Sequence, residues 1–232
     1  MRGFAGFALF LRKIAKPPTA LPLLFSEPFA ETGLLGVWET TEAPADLLAG
    51  LASLPAEVTE VQTLLHPQKR LEFAASRLLL RHLTGRVGLP YHGLVKDEFG
   101  KPALRGLAWH LSLSHSPRYA AAVLHPTRPV GIDLEAPRDA LRRVAPRILS
   151  PSELAHAGDD LHRLTVYWTA KEALYKLFGK RGLFFREQLG IRPFADTHQV
   201  LEGHILFNEE KYPCALRTRW LEGETLTVAI RC

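Results

Sequence analysis

The sequence predicts an α+β protein made of two halves of similar length. Strand-like runs and two long helical patterns follow one another as strand, helix, strands, helix, strands, not in the one-for-one alternation of a parallel doubly wound sheet. The proline-bounded turn Pro126–Pro129 falls near the middle of the 232 residues. That length, with 47% hydrophobic residues, is ample for a core. The expected organisation is an extension over residues 1–32, a first half over 33–128 and a second half over 129–232.

Element by element, "MRGFAGFALFLRK" opens the chain with an apolar run. Arg12, Lys13 and Lys16 follow directly, "LRKIAKPP" offers no small-x-small cleavage site, and the run is far shorter than the ~20 residues that span a bilayer. It is read as an extension packing on the body, with a membrane-surface anchor as the alternative. Lys16–Pro28, interrupted by prolines, is expected to be irregular covering chain, and Leu34–Glu39 ("LLGVWE") a first strand. His66–Gly85 is a strong helix, with Pro67 suited to its first turn and Gly85 to its end. "DEFGKPAL" (Asp97–Leu104) reads as a turn. "WHLSLSHS" (Trp109–Ser116), "YAAAVL" (Tyr119–Leu124) and "VGIDLE" (Val130–Glu135) read as strands. "SPSE" (Ser150–Glu153) is a capping box, and a helix from about Leu161 to Phe178 is stopped by Gly179. The tail is strand-rich, with Gly203–Phe207, Cys214–Trp220 and Thr225–Arg231.

A formal charge of +5 and a pI near 9.4 favour acidic or phosphorylated partners without amounting to a nucleic-acid signature, and no nucleic-acid partner is expected. Cys214 and Cys232 are the only cysteines and lie in no CxxC or metal-type spacing, which argues against a disulfide scaffold or a thiolate zinc site. A reducing cytoplasm is the expected location.

The chemistry centres on "VGIDLE". Strand side chains two apart share a face, so Asp133 and Glu135 aim at one place in an otherwise apolar stretch. Unpaired, they repel each other and lose hydration; a cation or a shared proton between them relieves both costs. On the later helix Glu172 and Lys176 are four apart, with Trp168 one turn earlier. Alone, this is an ordinary surface ion pair; with Asp133 and Glu135 it makes three carboxylates, an oxygen set suited to magnesium and phosphate. In "SLSHS", Ser112 and Ser114 share a strand face, while Ser114, His115 and Ser116 reach the strand end. Turn-capping hydroxyls explain any one of these serines, and a Ser-His hydrolase is disfavoured because strand neighbours point apart. Arg70, Arg77 and Arg81 form a stripe on the first helix, read either as a solvated basic face or as a phosphate clamp, and Lys101 adds a cation on a turn stiffened by Pro102.

Taken in order, "FGKPAL", "LSLSHS", "VGIDLE", "WTAKEALYK" and "GKRGL" resemble the 4′-phosphopantetheinyl transferases, specifically the longer pseudo-dimeric type acting on synthase carrier proteins. The resemblance runs from Leu34 to just beyond Gly182. It implies two similar α+β subdomains related by pseudo-twofold symmetry, with the active cleft between them and hence a monomer. The first would bind coenzyme A; the second would carry the magnesium site and catalysis. It implies transfer of the phosphopantetheine arm of coenzyme A, the donor substrate, to a serine of an acyl or peptidyl carrier protein, releasing adenosine 3′,5′-bisphosphate. The implied metal ligands are Asp133, Glu135 and Glu172 for Mg²⁺. The implied catalytic set is Glu172, Lys176, Asp133 and His115, with Glu172 helping to deprotonate the serine. Coenzyme A would be bound by Ser114, His115, Lys176, Lys101 and Pro102.

One departure from the family pattern stands out. Pro17–Gln68 contains no lysine or arginine, although relatives often carry basic residues there for the nucleotide 3′-phosphate. Arg70 and Arg77 are expected to substitute. An acidic carrier is the expected partner, and Arg138, Arg142, Arg143 and Arg147, with Leu141, Val144 and Ile148 interleaved, form either a docking face or simply an amphipathic covering helix. The alternatives are a magnesium-dependent hydrolase of a pyrophosphate-containing nucleotide and a non-catalytic coenzyme A- or carrier-binding module.

Overall fold

The computed structural model describes residues 22–52 and 54–232, so the N-terminal apolar run and its membrane alternative lie outside the described residues. The chain runs β1 (Leu23–Phe29), β2 (Gly33–Glu39), α1 (Pro44–Gly50), α2 (Pro55–Thr63), α3 (Pro67–Arg86), β3 (Leu94–Lys96), β4 (Pro102–Leu104), β5 (His110–His115), β6 (Tyr119–His125) and β7 (Val130–Glu135). It continues with α4 (Ala140–Ile148), α5 (Pro151–Ala157), α6 (Leu161–Phe178), α7 (Phe185–Gln188), β8 (Leu189–Ile191), β9 (Val200–Phe207), β10 (Glu210–Leu221) and β11 (Glu224–Arg231). The mixed α and β composition is as expected.

Two antiparallel sheets carry the fold, one ordered β1-β2-β6-β5 and one ordered β7-β11-β10-β9-β8, with β3-β4 as a separate ribbon. Alternation along the strands divides the core into three layers. Leu35, Val37, Tyr119 and Val123 of the first sheet meet Ile132, Leu134, Val228 and Ile230 of the second. The far face of the first sheet packs on Ala74, Ala75, Leu79 and Leu83 of α3, and that of the second on Ala170, Ala173, Leu174 and Leu177 of α6. Strand period and helix period thus bury complementary faces.

Local chemistry sets the helix ends. Pro67 begins α3 beneath His66, whose Nδ1 accepts from the Gln68 amide. Ser150 and Glu153 close the expected capping box on α5. Asp160 caps α6, accepting from the His162 and Arg163 amides, and Gly179, at φ 75°, ends it in the left-handed conformation.

One expectation is corrected. The described part of Lys16–Pro28 is not irregular: Leu23–Phe29 is a strand whose register with β2 joins Phe29 to Gly33 and Phe25 to Val37. Pro28 argues against a central strand, but among the described residues β1 pairs only with β2, and an edge strand tolerates a missing donor. The first sheet therefore begins ahead of residue 33.

Candidate active site

The site is assembled where α6 crosses β7, and Gly131 permits the crossing. A Cβ there would stand 1.9 Å from the Ala173 carbonyl oxygen and 2.5 Å from Leu177 N, so only glycine lets helix and strand touch backbone to backbone. This brings Glu172 and Lys176 of α6 over Asp133 of β7. Lys176 Nζ donates to Asp133 Oδ1 at 2.7 Å, to Ser114 Oγ at 3.2 Å and to the Leu113 carbonyl at 3.4 Å.

The serines of "SLSHS" join the two sheets. Ser112 Oγ accepts from Ile132 N at 3.1 Å and Ser114 Oγ from Leu134 N at 3.2 Å, satisfying amides on the outer edge of β7. Ser114 also donates to Asp133 Oδ1 at 3.0 Å. Its hydroxyl, expected on a ligand phosphate, is buried and committed to holding the acid.

Electrostatics single out the carboxylates. Asp133 is 5% exposed, and its Oδ2 is buried without a hydrogen-bond partner. Burial first, then the Asp133 charge and more weakly that of Glu135, push Glu172 up to about 7, with Lys176 and Arg138 opposing. Glu135 is raised by burial and by Asp133, while Arg138, whose guanidinium lies 3.5 Å away, pulls it back. Among the described residues, no three His, Cys, Asp or Glu side chains already converge into a metal cage. The chemistry nevertheless fits a hard divalent cation. Glu135 and Glu172 both resist ionisation in the field of Asp133, and one buried carboxylate oxygen of Asp133 lacks a partner.

A cleft of about 320 Å³ adjoins this cluster, walled on one side by Phe99–Pro102 and Leu111–Leu113 and on the other by Tyr175, Lys176 and Gly179–Arg181. Lys101 and Pro102 line this cleft. Lys101 Nζ donates to the Leu177 carbonyl at 3.2 Å, and its pKa is lowered by burial. Lys180, Arg181, Phe99 and Tyr175 were not singled out from the sequence. "GKRGL" carried the signal for the first two, but only the fold turns them toward the glycine-bearing turn at Gly100.

His115 lies at the outer end of β5, its Nδ1 3.1 Å from Glu72 Oε2. Burial holds the imidazole below its ordinary value, with Lys69 and Lys176 acting the same way against the pull of Glu72. Glu72, buried on α3 and also paired with Lys69 at 2.6 Å, was not foreseen.

The arginine stripe is corrected. Arg77 is buried, with Nε on Glu57 Oε2 at 2.8 Å and its guanidinium over the Phe73 ring; Tyr91 donates to the same Glu57. Arg70 donates to the Leu64 carbonyl at 2.6 Å and Arg81 to the Gly50 carbonyl at 3.0 Å. None of the three lines the cleft. The stripe serves internal neutralisation and loop anchoring, because α2 supplies the acid while the ends of α1 and α2 supply the carbonyls that the guanidiniums meet. Ahead of α4, Arg138 is engaged by Glu135; on α4, Arg142 is engaged by Asp139 and Asp159, while Arg143 and Arg147 stay exposed.

Comparison with known proteins agrees with the likeness read from the motifs. Residues 129–230 match the family model described as 4′-phosphopantetheinyl transferase superfamily, a segment that holds Asp133, Glu135, Glu172 and Lys176. Over 150 residues the chain is 34% identical to 4′-phosphopantetheinyl transferase HetI of Nostoc sp., covering 58% of this chain and 62% of that protein. It is 28% identical over 131 residues to a 4′-phosphopantetheinyl transferase of Bacillus subtilis, and 27% identical over 128 residues to 4′-phosphopantetheinyl transferase Sfp of Bacillus subtilis strain 168. Each of these covers 53% of this chain and 55% of the relative. The chain thus spans between about half and three fifths of the length of the curated relatives it matches.

Proposed function

We propose that the chain transfers the 4′-phosphopantetheine arm of coenzyme A to a serine of an acidic carrier protein, with Mg²⁺ held by Asp133, Glu135 and Glu172. The carrying observation is Asp133: one oxygen takes the Lys176 ammonium, the other is buried without a partner, and Glu172 beside it is raised to about 7. Such a constellation suits a phosphate-bound cation better than an inert ion pair. Helix-on-sheet packing in both halves supports a pseudo-twofold arrangement, with the cleft between the halves as the active cleft. Lys101, Lys180 and Arg181 there are cations suited to the nucleotide phosphates, the task first assigned to Arg70 and Arg77. Two free thiols suit a cytoplasmic setting.

In the transfer, the carrier serine oxygen attacks the β-phosphorus of coenzyme A. The new O–P bond forms as the bond from that phosphorus to the bridging oxygen breaks, and its electron pair leaves on adenosine 3′,5′-bisphosphate. A magnesium ion, when bound, supplies charge stabilisation for the pyrophosphate oxygens. Glu172, poised near neutrality, accepts the serine proton once ionised. Lys176, anchored by Asp133 and Ser114, offers its ammonium to the charge developing on the phosphate oxygens. His115 closes the cluster on the side of α3, positioned by Glu72.

The test is the intact mass of an apo carrier protein after incubation with the chain, coenzyme A and Mg²⁺, with EDTA and Asp133→Ala as controls. Gain of one phosphopantetheine arm, absent from both controls, is expected. Free phosphopantetheine with an unmodified carrier would instead establish the hydrolase. A Glu172→Gln variant with full transfer rate would remove Glu172 from the proton-accepting role.

A further inference from the structure

The turn between α6 and α7 displays an aromatic ring that the fold holds outward. Phe184 is 70% exposed, although both its neighbours are anchored. Leu183 is buried, and Phe185 stacks beside Trp168 and Tyr175 with ring centroids 6.2 and 5.3 Å apart. The Phe184 amide donates to Gln188 Oε1 at 2.8 Å. The carbonyl of Phe185 accepts at 2.9 Å from Lys171 Nζ, which also donates to the Ile148 carbonyl and pairs with Glu153 at 2.7 Å. That ammonium is wholly buried, so its loss would leave Glu153 as an uncompensated interior charge. The backbone under Phe184 is therefore rigid. An exposed phenyl ring on a rigid backbone loses water-exposed apolar surface on binding at little conformational cost.

The surroundings are cationic. Arg186 NH1 reaches the Pro146 carbonyl at 3.4 Å, tying α7 to the end of α4. There Arg143 and Arg147, one helical turn apart and exposed, have no ion-pair partner among the described residues. The acid in the same turn is Glu187, whose field supports Lys171. An aromatic centre with a guanidinium rim is the anatomy of a protein interface anchor. The patch also borders the carboxylates, because Trp168 and Tyr175, on which Phe185 rests, flank Glu172 along α6.

We propose that Phe184, with Arg143, Arg147 and Arg186, is the surface on which the carrier docks, seating an acidic amphipathic helix. An apolar side chain of that helix lies on the Phe184 ring and its carboxylates face the three guanidiniums. This rests on the transfer reading above, and it moves the docking face from the α4 stripe to the α4–α7 edge.

The experiment measures steady-state transfer and, separately, equilibrium binding of a fluorescently labelled apo acyl carrier protein to the full chain. Phe184→Ala, a surface change, is expected to raise the carrier KM and Kd at least about tenfold while leaving the coenzyme A KM unchanged. Arg143→Glu with Arg147→Glu is expected to weaken carrier binding at low salt, with the loss shrinking as salt rises. Transfer by all variants with an unchanged carrier KM would overturn the docking surface and leave the transferase standing. Carrier binding that depends on Phe184 without any transfer would uphold the surface and remove the transferase reading. Vesicles of phosphatidylserine and phosphatidylcholine form the third arm: binding to them through Phe184, with carrier affinity untouched, would assign the patch to a membrane and overturn the proposal.

Discussion

Gly131→Ala tests whether the spacing of β7 and α6 sets the site. The added Cβ would lie 1.9 Å from the Ala173 oxygen, where ordinary contact begins at 3.4 Å. Helix and strand must therefore part by about 1.5 Å, since a close-packed interior has no slack to absorb the atom. Backbone atoms make this contact, so no rotamer change relieves it. The Lys176–Asp133 contact of 2.7 Å spans the same seam and would stretch with it. Overpacking of this kind costs roughly 1–3 kcal/mol, or roughly 2–12 °C in Tm for a chain of this size. Misplacing reacting groups by about 1 Å costs on the order of 100-fold in rate. The assay is thermal unfolding together with kcat for carrier modification below the variant's Tm. Gly85→Ala in α3, where an added Cβ meets nothing within 4 Å, is the matched control and is expected to stabilise by roughly 0.4–1 kcal/mol. If Gly131→Ala kept the parent Tm and kcat, the close crossing would not be what assembles the site.

Folding raises Glu172 from its ordinary value near 4.5 to about 7, so the native chain retains a proton that the unfolded chain releases. This stabilisation is complete below about pH 4.5 and is lost as pH rises through 7, amounting to a few kcal/mol at most; chelated protein should melt lower at pH 8 than at pH 6, and Glu172→Gln should flatten that slope. Mg²⁺ should raise Tm more at pH 8 than at pH 5.5, because binding needs the ionised carboxylate, and Asp133→Asn should abolish the rise. Arg77→Ala should cost roughly 3–5 kcal/mol by stranding Glu57 inside the fold, while the preference for coenzyme A over dephospho-coenzyme A stays unchanged. A selective loss of coenzyme A affinity would return Arg77 to the nucleotide.

Much of the protein was legible in one dimension. Periodicity and capping residues are local, so the long helices, the α5 capping box and the β7 strand follow from residues within a few positions of each other. The same locality placed Asp133 with Glu135 and Glu172 with Lys176, because strand and helix geometry carry side chains to a common face over short spans. Strand β1 escaped because Pro28 is a breaker unless the strand lies at an edge, and edge position is a property of the whole sheet.

Long-range pairing was decided by tertiary structure alone. No pattern within α3 distinguishes an arginine that meets a phosphate from one that meets Glu57, twenty residues away on another helix. Nor does "SLSHS" disclose that its serines cap the edge amides of β7 and steady Asp133. The sequence alone determined which residues carry charge and on which face of their own element. The packed fold decided which of those charges neutralise one another and which remain for a ligand, because that depends on distances between elements that the linear order does not contain.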